Sequence, residues 1–236
     1  MRIQRITSPF LDENAYVVSA ADADEAIIID PGVKTHQRIE SYLQETGLTA
    51  TAVLLTHGHA DHVWDAASFG VPVHVAKPDI YRLDDPMQYL PPTFARVAHW
   101  EKPQVVQELL SSTRTYADGL PILMVPAPGH TEGSVIFLTE VPAGEAVETN
   151  CDIGGYSGQP FISAQPVAFT GDVVFAGSVG RTDLAGGDET QMRHTLRTLT
   201  NAINPQTWMF PGHGPTTVWE QEIETNPYVI RAKRIG

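Results

Sequence analysis

Three histidines and one aspartate lie within six consecutive residues, His57-Gly58-His59-Ala60-Asp61-His62. His57 and His59 are two residues apart, so in extended backbone their side chains point to the same side and can bind one ion. Asp61 and His62 follow where the chain is expected to turn into a helix, which would direct them to a second point nearby. So many polar groups after the apolar run 52–55 indicate a strand that delivers metal ligands into a loop.

Three further candidate ligands follow apolar runs, and each has a glycine beside it. They are His130 in Pro-Gly-His-Thr, Asp172 in Thr-Gly-Asp and His213 in Pro-Gly-His-Gly-Pro. Glycine allows the backbone to turn sharply and to pass close to an ion. Five histidines and two aspartates therefore predict two metal sites of nearly equal ligand number. The remaining histidines lack such a context and are interpreted as ordinary side chains: His36, His74, His99 and His194.

This series of motifs resembles the metallo-β-lactamase superfamily, and within it the short glyoxalase II-like (hydroxyacylglutathione hydrolase-like) branch. The matching segments run in the family's order through almost the whole chain: 30–32, 57–62, 128–131, 170–172, 180–184 with 186–188, 211–215 and 225–228. The first histidine block is highly specific, whereas the single-histidine motifs are specific only as a series. The resemblance implies an α/β fold, an αββα sandwich of two mixed β-sheets flanked by helices.

The resemblance also implies how the ligands divide between two divalent ions. One ion is expected to bind His57, His59 and His130, and the other Asp61, His62 and His213, with Asp172 bridging the two. A hydroxide shared by the ions would attack an acyl carbonyl, and Asp61 would orient it and handle its proton. Asp30 is assigned a supporting role behind the ligands or in a turn. Zinc is the first choice of metal, with iron and manganese as alternatives, because all three accept histidine and carboxylate ligands.

The substrate is expected to be a small-molecule thioester, on the basis of the segment after Asp172. In the glutathione-thioester hydrolases that the chain resembles, a basic residue in this segment binds a substrate carboxylate, and Arg181 occupies its place. The alternative is that Arg181 pairs with Asp183 or Asp188 and braces its loop. The larger family members carry tyrosines after this basic residue and after the last histidine, and both are missing here. A thioester is therefore better supported than glutathione as its thiol.

The main alternative function is that of a persulfide dioxygenase, which would bind a single iron through His57, His130 and Asp172. The motif around His213 favours the hydrolase, because a complete second site is then used. A β-lactamase is disfavoured, since Asp172 stands where many of those enzymes have cysteine. A lactonase and a non-catalytic metal-binding module are further alternatives. The module would be expected to have lost a ligand, and no ligand is missing from the sequence.

The length and the 42% of hydrophobic residues fit a single domain over residues 1–236 with a large core, and the resemblance implies that this domain is metallo-β-lactamase-like. The formal net charge of −13 argues against binding to nucleic acid or to an anionic membrane, since both need clustered Lys and Arg.

The one cysteine, Cys151, cannot form an intramolecular disulfide. The first residues lack an apolar signal core, so we expect a cytoplasmic protein. The sequence does not indicate an oligomeric state.

Hydrophobic periodicity predicts the elements that must position these ligands. Strands are expected near 2–6, 15–18, 26–29, 52–55, 73–75, 120–125, 135–138, 167–169 and 208–210. Helices are expected at 35–45, after the first histidine block, at 105–110, from Asp188 as its N-cap and from Val218. Two stretches, 84–103 and 144–166, are interpreted as insertions that serve either as lids or interfaces or as plain surface loops.

Overall fold

The computed structural model describes residues 1–90 and 99–234. The strands are β1 Arg2–Thr7, β2 Asn14–Ser19, β3 Glu25–Ile29, β4 Thr49–Leu54, β5 Val73–Val75, β6 Val106–Glu108, β7 Thr113–Ala117, β8 Leu120–Pro126, β9 Val135–Val141, β10 Glu148–Thr149, β11 Gln165–Gly171, β12 Trp208–Pro211 and β13 Thr217–Val218. The α-helices are α1 His36–Thr46, α2 Ala60–Val63, α3 Glu189–Ala202, α4 Trp219–Thr225 and α5 Pro227–Arg234. In these ranges, no helix has both the length and the apolar character needed to cross a bilayer.

The strands form two mixed sheets that pack face to face. The first sheet has the order β10-β1-β2-β3-β4-β5-β6, and the second has the order β13-β12-β11-β9-β8-β7. Each sheet contains both parallel and antiparallel pairs, for example β3 parallel to β4 and β1 antiparallel to β2. With helices on the outer faces, this is the αββα sandwich that the sequence predicted, and the prediction is confirmed.

Apolar layers hold the sheets and helices together. Between the sheets, Ile27 and Leu54 of the first pack with Phe137 and Phe169 of the second, and all four are inaccessible or nearly so. Because successive strand residues point to opposite faces, the alternate residues of the same strands face outward. There α1 covers the first sheet through residues such as Ile39, while α3, α4 and α5 cover the second.

The ligand motifs follow strands that end at a common edge. Asp30 and the first histidine block follow β3 and β4, which are parallel neighbours. Asp172 and His213 follow β11 and β12, which are parallel neighbours in the second sheet. The carboxyl ends of parallel strands share one edge, where loops can combine their side chains. The two sheets therefore each present part of the candidate site on the same side of the sandwich.

The helix predicted at 105–110 is wrong. Val106–Glu108 is strand β6, which pairs in parallel with β5, and Leu109 donates its N–H to the carbonyl oxygen of Val75. Its apolar residues suit a short helix and a strand equally well, and the free edge of β5 decided the outcome. The short strands β7, β10 and β13 and the helix α5 were not predicted.

The structure describes the first predicted insertion, 84–103, only in part, whereas the second, 144–166, is described in full and contains strand β10. Residues 91–98 of the first stretch lie outside the described residues, and beside them Trp100 contacts Trp64 with ring centroids 5.5 Å apart. In the second stretch, β10 pairs in parallel with β1 and extends the first sheet. The amino group of Met1 donates to the carbonyl oxygen of Ala146 at 2.8 Å. Strand β10 thus forms one edge of the first sheet, and a role of residues 144–166 as a lid or interface stays a prediction.

Candidate metal centre

The first group of potential ligands combines the loops after β4 and β8. His57 Nε2 lies 3.1 Å from His59 Nδ1, and His59 Nδ1 lies 2.9 Å from His130 Nε2. All three side chains are buried. The two histidines after β4 approach from one sheet, and His130 approaches from the other. The structure thus brings His130 to a histidine that lies 71 positions before it in the sequence.

Hydrogen bonds on the far side of two of these rings determine where their protons are. His130 Nδ1 lies 2.7 Å from the carbonyl oxygen of Arg181, which can only accept, so Nδ1 carries the proton. The Thr56 hydroxyl donates its own proton to a buried carboxylate, so His57 Nδ1 must donate to the Thr56 oxygen. In the neutral rings, the bare Nε2 atoms of both histidines then face His59 Nδ1, which offers at most one proton. A cation between the three nitrogens would satisfy all of them.

The second group consists of Asp61 and His62 on α2 together with His213 after β12. Asp61 Oδ2 lies 3.4 Å from His213 Nε2 and 3.7 Å from His62 Nε2. The outer nitrogens again meet acceptors, since His62 Nδ1 is 3.0 Å from Asp30 Oδ2 and His213 Nδ1 is 3.0 Å from the carbonyl oxygen of Leu11. In the neutral rings, each Nε2 atom therefore carries a lone pair that faces a carboxylate. Asp30 lies behind the ligands and orients one of them.

Asp172 lies between the two groups. Its Oδ1 is 3.2 Å from His62 Nε2, and its Oδ2 is 3.4 Å from His130 Nε2 and 3.6 Å from His213 Nε2. The side chain is buried, and within the described residues Oδ1 has no hydrogen-bond partner. Oδ1 is thus beside the second group and Oδ2 lies between the two groups, so this carboxylate is placed where a ligand shared by two ions would be.

Electrostatics prepare this centre for positive charge. Burial and neighbouring imidazoles lower the pKa of His57 well below its usual value and that of His59 to about 3. Burial disfavours the Asp172 anion, but His62 and His213 outweigh that effect and hold its pKa well below the usual range. The carboxylates Asp172 and Asp61 raise the pKa of His62 well above its usual value against the effect of burial. Positive charge, as a proton or as a metal ion, is therefore stabilised between the carboxylates.

A buried carboxylate that the sequence did not reveal connects the loops of the first group. Asp79 Oδ2 accepts from the Gly58 N–H at 2.8 Å and from the Thr131 hydroxyl at 2.7 Å, and Oδ1 accepts from the Gly133 N–H at 2.9 Å. Gly58 separates the first two histidines, and Thr131 follows the third. No local pattern marks Asp79, because all of these partners are distant in sequence.

Arg82 compensates the buried charge of Asp79. It is fully buried, and its Nε lies 3.3 Å from Asp79 Oδ1. Its Nη2 donates to Glu132 at 2.5 Å and to the carbonyl oxygen of Ala185 at 2.9 Å. Arg82 therefore links Asp79, which clamps the two loops of the first group together, to the segment that follows Arg181.

Arg181 forms a bidentate ion pair at the surface. Its Nε and Nη2 each lie 2.7 Å from the Asp183 carboxylate, and the pairing lowers the pKa of Asp183 to about 2. Asp188, the other proposed partner, instead accepts from the Gln191 N–H and caps α3, as the sequence predicted. The carbonyl oxygen of Arg181 is also the group that holds His130. Arg181 thus pairs with Asp183 in this structure, and both the bracing role and the role as a substrate anchor stay predictions.

The segment 225–228 supports the loop between Asp172 and Arg181. Asn226 Nδ2 donates to the carbonyl oxygen of Ser178 at 2.9 Å. The buried Glu222 accepts from the Gly177 N–H at 2.9 Å and from Asn226. These bonds explain why a motif far from the ligands belongs to the same structural unit.

The residues present fit divalent metal ions. His57, His59 and His130 offer ligand atoms within 4.8 Å of one another, as do Asp61, His62 and His213, and a third grouping joins Asp30 to His57 and His62. Imidazole and carboxylate donors suit zinc and iron. In the described part of the chain, four histidines belong to no such group: His36, His74, His99 and His194.

Comparisons with known proteins show the family to which the chain belongs. Residues 9–140 match the model of the metallo-beta-lactamase superfamily. An uncharacterized protein of Mycobacterium tuberculosis (strain H37Rv) is 33% identical over 224 residues, and the match covers 92% of each chain. The chain belongs to the metallo-beta-lactamase superfamily. Another relative, hydroxyacylglutathione hydrolase GloC of Haemophilus influenzae, is 30% identical over 221 residues, which cover 88% of this chain and 89% of that protein.

Solved structures show that the metallo-beta-lactamase fold extends over nearly the whole chain. TTHA1623 in a di-iron-bound form is 31% identical with a TM-score of 0.71, covering 95% of this chain and 98% of that one. BLEG-1 B3 metallo-beta-lactamase is 28% identical with a TM-score of 0.72, covering 96% and 99%. ETHE1 from Myxococcus xanthus shares the fold at 20% identity, with a TM-score of 0.67 and coverage of 100% and 86%.

The clamp formed by Asp79 generates a testable prediction. Asp79→Ala removes the acceptor of Arg82 Nε, of the Thr131 hydroxyl and of two buried N–H groups. Breaking a buried pair in this way costs about 3–5 kcal/mol of the free energy of unfolding. It should also weaken metal binding by about ten- to a hundred-fold, as loss of groups that support ligands does. Urea denaturation and titration of chelator-treated protein with zinc measure the two effects.

Glu132→Ala is the matched control for this variant. It removes the other carboxylate that contacts Arg82, but the Glu132 side chain is 44% exposed, so a loss of about 1 kcal/mol or less is expected. Equal losses for Glu132→Ala and Asp79→Ala would contradict a clamp centred on Asp79.

Proposed function

We propose that the chain is a dinuclear-metal thioester hydrolase of the hydroxyacylglutathione hydrolase type. The observation that carries this proposal is the convergence of five imidazole rings on two carboxylates, at a place where positive charge is stabilised between those carboxylates. Such a set matches two cations bridged by Asp172. The 30% identity to hydroxyacylglutathione hydrolase GloC supports the choice of a thioester.

The bound ions would supply a water of lowered pKa as nucleophile and a Lewis acid for the acyl carbonyl. One ion would be held by His57, His59 and His130, and the other by Asp61, His62 and His213. Zinc is the preferred metal, and iron and manganese accept the same ligands. The likeness to TTHA1623 in a di-iron-bound form makes iron a specific alternative.

We assign to Asp61 the role of accepting the proton of the attacking water. Its carboxylate lies at the second group and is 6% exposed, so it is more accessible than His62 behind it. Burial disfavours its anion, but His62 and His213 outweigh that effect and lower the pKa of Asp61. An anionic Oδ2 can accept a hydrogen bond from the attacking water and take up its proton.

A persulfide dioxygenase is the second candidate, using one iron on His57, His130 and Asp172. The pair that it needs is present, since His130 Nε2 lies 3.4 Å from Asp172 Oδ2. The superposition with ETHE1, at 20% identity, is a likeness of fold alone. The complete second group favours the hydrolase, because Asp61, His62 and His213 would then all hold an ion.

Metal content and a substrate panel test the proposed function. Protein purified without added metal should contain two ions per chain, and His213→Ala should retain one. The parent should hydrolyse thioesters and take up no oxygen with a persulfide. His194→Ala, an exposed histidine on α3, is the matched control and should keep both ions. One ion per chain with persulfide-dependent oxygen uptake would establish the dioxygenase instead, and turnover of only lactones or β-lactams would also refute the thioesterase.

Asp61→Asn tests the assignment of the proton. Asparagine keeps the size of the side chain but cannot take up a proton, so turnover should fall by about 10²–10⁴-fold. Elemental analysis of the same sample separates this effect from loss of an ion, and the first ion should remain bound. Turnover within a few-fold of the parent, at equal metal content, would remove Asp61 from the mechanism.

Arg181→Ala tests whether this residue anchors the substrate. As an anchor, Arg181 would contribute uniform binding, so the variant should raise KM about ten- to a hundred-fold for thioesters that carry a carboxylate on the thiol side. The KM for uncharged thioesters and kcat should change much less.

Asp183→Ala is the counterpart, because it breaks the same ion pair but keeps the guanidinium. If Arg181 is an anchor, this variant should bind the charged thioester at least as well as the parent. If the pair only braces the loop, both variants should lose similar thermal stability and similar activity toward every substrate.

A further inference from the structure

The loop that contacts His130 separates it from a cavity of about 340 Å³. The cavity is enclosed by the loop Val179–Asp183, by α3 and by α5. The separation is small, because a Cβ placed on Gly180 would lie 2.9 Å from His130 Nδ1 and closer still to the carbonyl oxygen of Asp172. The cavity is large enough for a small organic ligand, and ligand pockets of this size are common in enzymes.

The floor of this cavity is apolar, whereas its rim is basic. Met192 and Leu196 of α3 are buried at its base, and the half-exposed ring of Tyr228 lies at its edge. Three guanidinium groups from three different elements also line it: Arg181, Arg193 and Arg231. A ligand that fits both parts has an apolar body and a group that guanidinium recognises.

The carboxylates at the rim do not balance these arginines. Asp183 occupies Arg181 through two hydrogen bonds of 2.7 Å. Glu189 must serve the other two, since it lies 3.3 Å from Arg193 and 3.9 Å from Arg231. Three guanidinium groups thus share two carboxylates, in a chain whose formal net charge is −13. Arg231, 64% exposed and only loosely paired, keeps most of its donors available.

We infer that this cavity binds a small ligand in which a carboxylate or phosphate is attached to an apolar body. The apolar part rests on Met192 and Leu196, and the anion meets Arg231 and Arg193 at the rim. Guanidinium groups suit both anions, because their planar donors match two oxygens at once. The ligand is either the thiol half of the thioester, which would rest on the proposed function, or a separate metabolite.

Calorimetry with matched probes tests the inference without any turnover. The probes are 3-phenylpropionate, phenyl phosphate and the uncharged 3-phenylpropanol. At least one of the two anions should bind about ten-fold more tightly than the alcohol, as a charge-assisted hydrogen bond predicts. Arg231→Gln should abolish most of this preference, whereas Glu189→Gln should strengthen it, because it removes the competing carboxylate.

Lys233→Gln is the matched control, since it removes one positive charge from the same helix outside the cavity lining. It should leave binding unchanged. Equal affinity for anion and alcohol, or the same loss in Lys233→Gln as in Arg231→Gln, would overturn the inference. A probe that raises only the KM for a thioester identifies the thiol half as the ligand, and one that lowers kcat identifies a separate metabolite. If no thioester is hydrolysed, the binding measurements still decide whether the cavity takes an anion.

Discussion

Five imidazole rings and two carboxylates lie together at one edge of the sandwich, and this arrangement needs positive charge between them. The contacts around the candidate metal centre are organised by that need. The carboxylates of Asp61 and Asp172 are buried among histidine rings, and no Lys or Arg side chain of the described residues forms an ion pair with them. Burying such groups without compensation is costly. The interactions around the site therefore serve to keep lone pairs directed at the places where cations would sit.

Acceptors from separate parts of the chain prepare the ligand nitrogens. The outer nitrogen of His130 meets a backbone carbonyl, that of His57 meets a hydroxyl, and that of His62 meets the Asp30 carboxylate. Each contact fixes the ring orientation and favours a proton on the outer nitrogen, so that the inner nitrogen of the neutral ring carries a lone pair. A metal site of this kind is thus determined as much by the groups behind the ligands as by the ligands themselves.

The centre also joins the two sheets. Ligands from the first sheet meet ligands from the second, and Asp79 bonds to both loops of the first group. Displacement of one sheet against the other would change the distances between the nitrogens directly. The apolar layer between the sheets, in which Leu54 faces Phe169, therefore positions the ligands as well as stabilising the fold.

The sequence by itself determined the fold class through its resemblance to a known family, and most strands through hydrophobic periodicity. It also indicated the candidate ligands, because clustered histidines and aspartates at the ends of apolar strands are costly to bury unless they bind a metal ion. It could not decide whether residues 105–110 form a helix, since that depended on hydrogen bonds to the edge of β5. Nor could it reveal Asp79, whose partner Thr131 is 52 positions away, or the cavity whose arginines come from three elements. Tertiary structure alone decided these features, because they arise from contacts between segments that are distant in the sequence and have no local pattern that indicates those contacts.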